Sequence, residues 1–344
     1  MRDSLDVTFE KLNTAFEEAA ARRASRTECR VKAGGRIFKL RFASREMREI
    51  VLPSLEHLVM PEGQDGPEDF TLNVWDSAST GAPAPFPRPM LANPAAKGES
   101  TDLADERFAG HVSHDSGAVS FYDRESRRAI FWMPDARDLP GYHRATPFLP
   151  LLQWCFQSAG RQIAHAAAIG VPSGGALLAG KSGSGKSTTA ALASEAGLLH
   201  LGDDLCVLAD EPPRVFALYR SVKLLPGSLR FPALASWSQR KAAWTADDKD
   251  VMLLEGDGPV ELPLKMILLP RVTGAAETCA RPATAAEAVR ALAPSSLFLY
   301  PRGGREAFAF FARLAKRLPA FHLDLGTDAH NVAALTRRLL EEAP

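Results

Sequence analysis

The sequence lacks any long hydrophobic run. No stretch of about 18 uninterrupted apolar residues occurs, although hydrophobic residues make up 46% of its 344 positions. The opening residues, MRDSLDVTFEKLNTAFEE, carry acids throughout, whereas a signal peptide has a basic start and an apolar centre. We therefore expect no membrane span, no membrane partner and a cytoplasmic location.

Cysteine is scarce, and net charge is absent. The four cysteines, Cys29, Cys155, Cys206 and Cys279, lie far apart and form no CxxC pair, so neither a zinc site nor a disulfide framework is indicated. Formal net charge is zero, with 41 basic and 41 acidic residues. This balance gives no reason to expect a nucleic-acid partner.

The sequence does contain a loop of small residues, GKSGSGKST at residues 180–188. Its spacing, Gly180-x-x-x-x-Gly185-Lys186-Ser187, is that of a phosphate-binding loop. The apolar run GALLA before it predicts a short buried strand, and KSTTAALASEA after it predicts a helix. In such a strand–loop–helix unit, backbone N–H groups point into one concavity, and the helix N-terminus adds partial positive charge there.

The loop therefore predicts a binding site for ATP and Mg²⁺. Lys186 is expected to project into solvent-filled space and reach the outer phosphates, and the Ser187 hydroxyl is expected to bind Mg²⁺. The residues predicted to cradle the nucleotide are Gly180, Ser182, Gly183, Ser184, Gly185, Lys186, Ser187 and Thr188.

Two domains are predicted. Residues 1–147 contain a helix and then alternating segments such as RIFKLRF and FTLNVW, which indicate a smaller α+β domain, a candidate for binding a peptide substrate. Residues 78–106, rich in Pro, Ala and Gly, predict an irregular excursion. Residues 148–344 are predicted to form an α/β nucleotide-binding domain, whose strands include QIAHAAAIG, HLGDDLCVL and LKMILL.

Two acids and a histidine are candidates for chemistry beside the loop. Asp203 and Asp204 lie seventeen and eighteen residues past Lys186, at the end of a predicted strand. One could hold Mg²⁺ and the other accept a proton from an attacking hydroxyl, as in phosphoryl transfer; the alternative is a solvated Asp-Asp turn. His165, fifteen residues before Gly180, is either a packed core residue or a group that tunes a neighbouring acid.

The ordered set His165, GKSGSGKS and Gly202-Asp203-Asp204 resembles the C-terminal kinase domain of the HPr kinase/phosphorylase family. It is more similar still to the HPr-kinase-like kinases of lasso-peptide biosynthesis, and the resemblance covers roughly residues 160–340. It implies a P-loop kinase domain of the HPr kinase C-terminal type that transfers phosphate from ATP to a serine. By position, it implies that Asp203 is the general base, Asp204 its acidic partner at the metal, and His165 their neighbour.

The sequence departs from the HPr kinases downstream of the acid pair. The Glu-Ile-Arg-Gly stretch of those enzymes has no counterpart, because residues 218–221 read LYRS and carry no acid. The lasso-peptide kinases also lack it, so the resemblance to them implies a precursor peptide as acceptor. Lys249 and Arg271 are further candidates for stabilising charge on the transferred group.

Two other functions stay open at this point. One is a small-molecule alcohol kinase, because a carboxylate such as Asp203 can deprotonate any alcohol. The other is an ATP-dependent peptide-binding or regulatory module that transfers no phosphate. The oligomeric state stays open as well.

Overall fold

A computed structural model describes residues 4–22, 27–64, 66–85, 103–256, 258–299 and 303–343. The chain divides into two compact units, Met1–Ala159 and Gly160–Pro344, and is mixed α/β with several sheets. Most of the predicted irregular excursion, residues 86–102, lies outside the described residues.

The first unit ends later than the predicted boundary at residue 147. The helix Leu149–Ser158 belongs to this unit because its apolar face packs there. The Phe156 ring meets the Phe38 ring edge-on at 5.5 Å, and the Ser158 hydroxyl lies 3.2 Å from that of Tyr122.

The first unit combines five helices with one six-stranded sheet, counted over its described residues. The helices are α1 (Leu5–Arg22), α2 (Arg45–Val51), α3 (Ser77–Thr80), α4 (Gly141–Ala145) and α5 (Leu149–Ser158). The strands are β1 (Thr27–Ala33), β2 (Arg36–Phe42), β3 (Phe70–Asp76), β4 (Phe108–Val112), β5 (Val119–Asp123) and β6 (Arg128–Met133). Their order is β1-β2-β3-β6-β5-β4, with parallel pairing at β2-β3 and β3-β6.

Helix α1 covers one face of this sheet. Its buried residues Phe9, Leu12 and Phe16 recur at the three- and four-residue spacing of one helix stripe. Phe16 meets Trp75 of β3 at 5.7 Å, and Phe9 meets Phe121 of β5 at 5.4 Å. The amphipathic pattern of the first residues therefore encodes a core contact.

The second unit contains the glycine-rich loop. Its strands are β7 (Gln162–Ala164), β8 (Ala166–Val171), β9 (Gly174–Ala179), β10 (Leu199–Gly202), β11 (Cys206–Asp210), β12 (Pro213–Phe216), β13 (Ser221–Leu224), β14 (Lys241–Ala246), β15 (Lys249–Leu253), β16 (Glu261–Val272), β17 (Cys279–Ala283) and β18 (Ala320–Leu325). Its helices are α6 (Lys186–Glu195), α7 (Ala285–Leu297), α8 (Gly304–Arg317) and α9 (Ala329–Glu342).

Nine of these strands form the main sheet, and β13-β15-β14 form a separate small sheet. The main sheet runs β10-β8-β9-β16-β12-β11-β7, with β18 parallel to β16 and β17 antiparallel to β18. Successive residues of β8 and β9 alternate between two cores, as the period of a strand requires. Helices α7 and α8 contribute to one core, and α6 and α9 to the other.

Two predicted strands are interrupted at the candidate site residues. The segment predicted as one strand over residues 162–170 breaks at His165 into β7 and β8, and that over residues 200–208 breaks at residues 203–205 into β10 and β11. Because β7 pairs with β11 and β8 with β10, the two breaks lie side by side. Asp203 follows β10 directly as predicted, but β8 lies between β10 and the loop strand β9.

Over the described parts of the chain, none of the helices combines the length and apolar character that a membrane crossing needs.

Candidate functional site

The loop between β9 and α6 is shaped by glycines. Gly185 caps α6 with a φ of 102°, and a Cβ there would lie 2.5 Å from Leu325 Cδ1. A Cβ on Gly180 would lie 2.7 Å from Ser184 Oγ. Only glycine meets both demands, a left-handed backbone and a close approach, so the local pattern that predicted the loop has a steric basis in the fold.

Lys186 lies against the loop. Its ammonium donates to the carbonyl oxygens of Gly180 at 2.7 Å and Lys181 at 3.2 Å, and the residue is only 7% exposed. The expectation that it projects into solvent is wrong, because these carbonyls hold the side chain within the loop. Burial lowers the pKa of Lys186, against the opposing effect of Asp203 and Asp204.

The acid pair sits in a tight reversal of the chain. The Leu205 N–H donates to the Asp203 carbonyl oxygen at 2.7 Å, and Asp204 has a φ of 66°. Asp tolerates this left-handed conformation better than most residues with a Cβ. The reversal sends the two neighbouring carboxylates into different surroundings.

Asp203 is buried beside the helix that follows the loop. It is 1% exposed, and its Oδ2 accepts the Lys223 backbone N–H at 3.0 Å. Burial and the charge of Asp204 raise the pKa of Asp203, while the nearby Ser187 hydroxyl works in the opposite direction. Oδ1 has no direct hydrogen-bond partner among the described residues, although it is buried.

Asp204 is held by two cation-forming side chains. His165 Nε2 lies 3.0 Å from its Oδ1, and Lys223 Nζ donates to its Oδ2 at 2.8 Å. Burial acts to raise the pKa of Asp204, but Lys223 and His165 outweigh it and hold the pKa far below the usual range. Asp204 is therefore an ionised carboxylate at neutral pH.

Asp204 and the loop share one pocket. The loop side is formed by Ser182, Gly183, Gly185, Lys186, Ser187 and Thr188. The other lining residues are His165, Asp204, Lys223, Leu225, Ser228 and Lys249. Asp203, Gly180 and Ser184 were predicted to belong to the site but do not line this pocket. Lys186, Lys249 and the N-terminus of α6 make the pocket suited to phosphate groups, whereas the third lysine, Lys223, is paired with Asp204.

The chemistry of Asp203 and Ser187 fits Mg²⁺. A hydroxyl and a carboxylate are oxygen ligands of the kind this ion prefers, with its remaining positions taken by water and phosphate. The unpartnered Oδ1 of Asp203 is the buried atom that such an ion would satisfy. Among the described residues, no group of three or more His, Cys, Asp or Glu is placed to hold a metal ion.

Sequence reasoning missed Lys223 and did not distinguish Lys249 from Arg271. Lys249 lines the pocket, whereas Arg271 does not and instead pairs with Asp324 at 2.9 Å. Lys223 lies in β13, twenty residues beyond Asp203. Its only sequence signal is a lysine inside the short apolar segment SVKLL, which is too common to single out a site.

No protein-family model matches the chain, and no curated protein matches it either. The family likeness drawn from the motifs therefore stays a prediction.

Proposed function

We propose that the second unit is an ATP-dependent kinase that transfers phosphate to a hydroxyl, namely a serine of a peptide or protein. The observation that carries this proposal is the shared pocket: an ionised carboxylate, Asp204, faces a glycine-rich loop that presents Lys186 and Ser187. A phosphate site alone would serve binding, whereas a fixed carboxylate opposite it also serves transfer.

The loop and Lys186 hold the nucleotide. The N–H groups at the start of α6 and the Lys186 ammonium suit the β- and γ-phosphates of ATP. Ser187 and Asp203 are the residues that would hold Mg²⁺, which when bound offsets the charge on the phosphate oxygens.

Asp204 aligns the acceptor. The acceptor oxygen bonds to the γ-phosphorus as the bond from that phosphorus to the β,γ-bridging oxygen breaks, and ADP leaves with the electron pair. The hydroxyl proton passes to Asp204. The loose transition state of phosphoryl transfer makes little demand on base strength, so a carboxylate with a low pKa is adequate when it is well positioned.

This division reverses the roles that the family resemblance implied. There Asp203 was the base and Asp204 the acid at the metal. Asp204 lines the pocket, whereas Asp203 is 1% exposed, does not line it and lies beside Ser187, so we assign the acceptor to Asp204 and the metal to Asp203. The resemblance continues to favour a peptide acceptor, such as a lasso-peptide precursor, and an HPr-kinase-like fold for this unit.

The test is transfer of label from γ-³²P-ATP with Mg²⁺ to an array of serine-containing peptides, each printed beside its Ser→Ala copy. Label on serine peptides alone supports the proposal. Label on glycerol or other small alcohols, with none on peptides, identifies a small-molecule kinase instead. Nucleotide binding without transfer to any acceptor identifies a binding module and rejects the kinase.

Asp204→Asn separates the two acids in the same assay. It should leave the affinity for Mg²⁺·ADP within about threefold while transfer falls by about 10² to 10⁴, the usual worth of general-base help. Asp203→Asn should instead weaken Mg²⁺-dependent nucleotide binding. The opposite pattern would restore the roles implied by the resemblance.

A further inference from the structure

Lys223 touches both members of the acid pair. Its backbone N–H donates to Asp203 Oδ2 at 3.0 Å, and its ammonium donates to Asp204 Oδ2 at 2.8 Å. Its side chain is 12% exposed and that of Asp204 20%, so their ion pair is largely shielded from water. Shielded charge pairs with good geometry constrain orientation far more than exposed ones do.

The small sheet that carries Lys223 is anchored to the loop helix. Val222 and Leu224 of β13 pack in one cluster with Ala191 and Leu192 of α6. Polar contacts add to this packing: the Thr188 and Ser228 hydroxyls lie 2.8 Å apart, and Trp237 Nε1 donates to Glu195 at 2.5 Å. The position of Lys223 is therefore set by the same helix that begins at the phosphate loop.

We infer that Lys223 is a positioning residue that fixes the Asp203–Asp204 reversal, so that the Asp203 carboxylate stays buried and the Asp204 carboxylate faces the acceptor. The inference rests on the proposed kinase function. Asp204 has a left-handed backbone. Without Lys223, its carboxylate would keep only His165 as a hydrogen-bond partner among the described side chains. The carboxylate would then be free to turn away from the acceptor.

Other charged groups near Asp204 do not duplicate this contact. His165 holds the other carboxylate oxygen, Lys186 is bonded to the loop carbonyls, and Asp203 repels Asp204. Lys249 lines the same pocket from β15, and its charge lowers the pKa of Lys186. Among the described residues, the Lys223 ammonium is the group that joins the Asp204 side chain to the small sheet.

The first experiment measures steady-state transfer by Lys223→Met, which keeps the length of the side chain and the backbone N–H but removes the charge. We expect kcat to fall about 10- to 100-fold, the effect of a misplaced reacting group, with the KM for ATP within about threefold. Lys223→Arg should recover most of the loss, because it keeps the charge and the donors. A large rise in the KM for ATP with kcat unchanged would mean that Lys223 binds phosphate, and would overturn the inference.

Lys241→Met is the matched control. Lys241 lies in β14 of the same small sheet and also pairs with an aspartate, Asp250, at 2.5 Å, but it is more exposed and lies outside the pocket lining. Its loss should leave kcat within about twofold, as expected for an exposed pair. An equal loss in both variants would show that the small sheet is merely destabilised, and would overturn the inference. If Lys223→Met does not fold, Lys223→Gln takes its place.

A double-mutant cycle with Asp204→Asn tests whether Lys223 acts through that residue. In the Asp204→Asn background, Lys223→Met should change kcat by less than about threefold, because the group it positions is already disabled. A full independent loss there would overturn the inference.

The same cycle, read by thermal unfolding, separates this inference from the kinase proposal. If the wild-type chain transfers no phosphate, the kinase proposal fails, and Lys223 is then judged on unfolding alone. The two single variants should lower the unfolding midpoint by amounts that sum to more than the loss in the double variant. Additive losses would show that the two side chains do not act as a pair.

Discussion

Replacing Asp203 by Asn should stabilise the second unit at neutral pH. The change keeps the shape of the side chain and removes its charge. Asn can still accept the Lys223 N–H through its oxygen, and its amide group then takes the place of Oδ1, which has no direct hydrogen-bond partner among the described residues. The gain comes from removing the charge, because a buried polar atom without a partner costs about 1–3 kcal/mol and more when it is charged.

Two effects set the size of the gain. Removing the buried charge also removes its repulsion with Asp204, and against this the protein loses the attraction between Asp203 and Lys186. A net gain of about 1–2 kcal/mol remains, within the range seen when buried charges are replaced by neutral groups. For a unit the size of Gly160–Pro344, that corresponds to a rise of about 2–8 °C in the unfolding midpoint.

The pH dependence is the sharper part of this prediction. Burial and Asp204 raise the pKa of Asp203 above its unfolded value. The stability of the wild-type protein is therefore lowered only at pH values at which this carboxylate ionises. The penalty is absent below the unfolded pKa of about 3.9 and grows as pH rises through the folded pKa. The advantage of Asp203→Asn should therefore be small near pH 4 and increase as pH rises.

The assay is differential scanning calorimetry of both proteins between pH 4 and pH 8 in EDTA. An advantage of Asp203→Asn that shrinks as pH rises would refute the reasoning. Asp204→Asn provides the contrast, because that carboxylate is paired with His165 and Lys223, and it should lower the midpoint at neutral pH. Mg²⁺ with ADP should raise the midpoint of wild type and leave that of Asp203→Asn nearly unchanged.

Other predictions follow from the loop and its helix. Lys186→Ala should weaken ATP binding at least about tenfold in isothermal calorimetry, because it removes a phosphate-binding charge worth about 1.4 kcal/mol or more. Lys316→Ala, on the exposed face of α8, should leave ATP binding unchanged. Equal binding by both variants would reject the assignment of the loop. Because Lys186 is buried, its truncation should also lower the unfolding midpoint. Gly185→Ala should destabilise the second unit by about 2–4 kcal/mol, combining a left-handed backbone with a clash at Leu325. Gly183→Ala, with a φ of 77° and open space around it, should cost only about 1–2 kcal/mol in the same denaturation assay, and similar losses in both would contradict the steric account.

The sequence alone determined the features that depend on short-range pattern. The loop of residues 180–188 was predictable because its glycines answer to backbone conformation and close contact, which a spacing rule captures. Strands β2, β3 and β16 were predictable from RIFKLRF, FTLNVW and LKMILL, because the apolar pattern of a segment records which faces the strand buries. The apolar segment before the loop became β9 for the same reason.

Tertiary structure decided how the site is divided among its residues. The apolar pattern predicted strands that continue through His165 and through the acid pair. The breaks at these residues arise from the pairing of β7 with β11 and of β8 with β10, which the pattern does not record. Adjacent aspartates look alike in sequence. The left-handed turn at Asp204 sends its carboxylate to the pocket and leaves that of Asp203 buried outside the pocket lining. Lys223 contacts both acids because the small sheet packs on α6. A contact that packing makes between residues about twenty positions apart leaves no pattern in the local sequence.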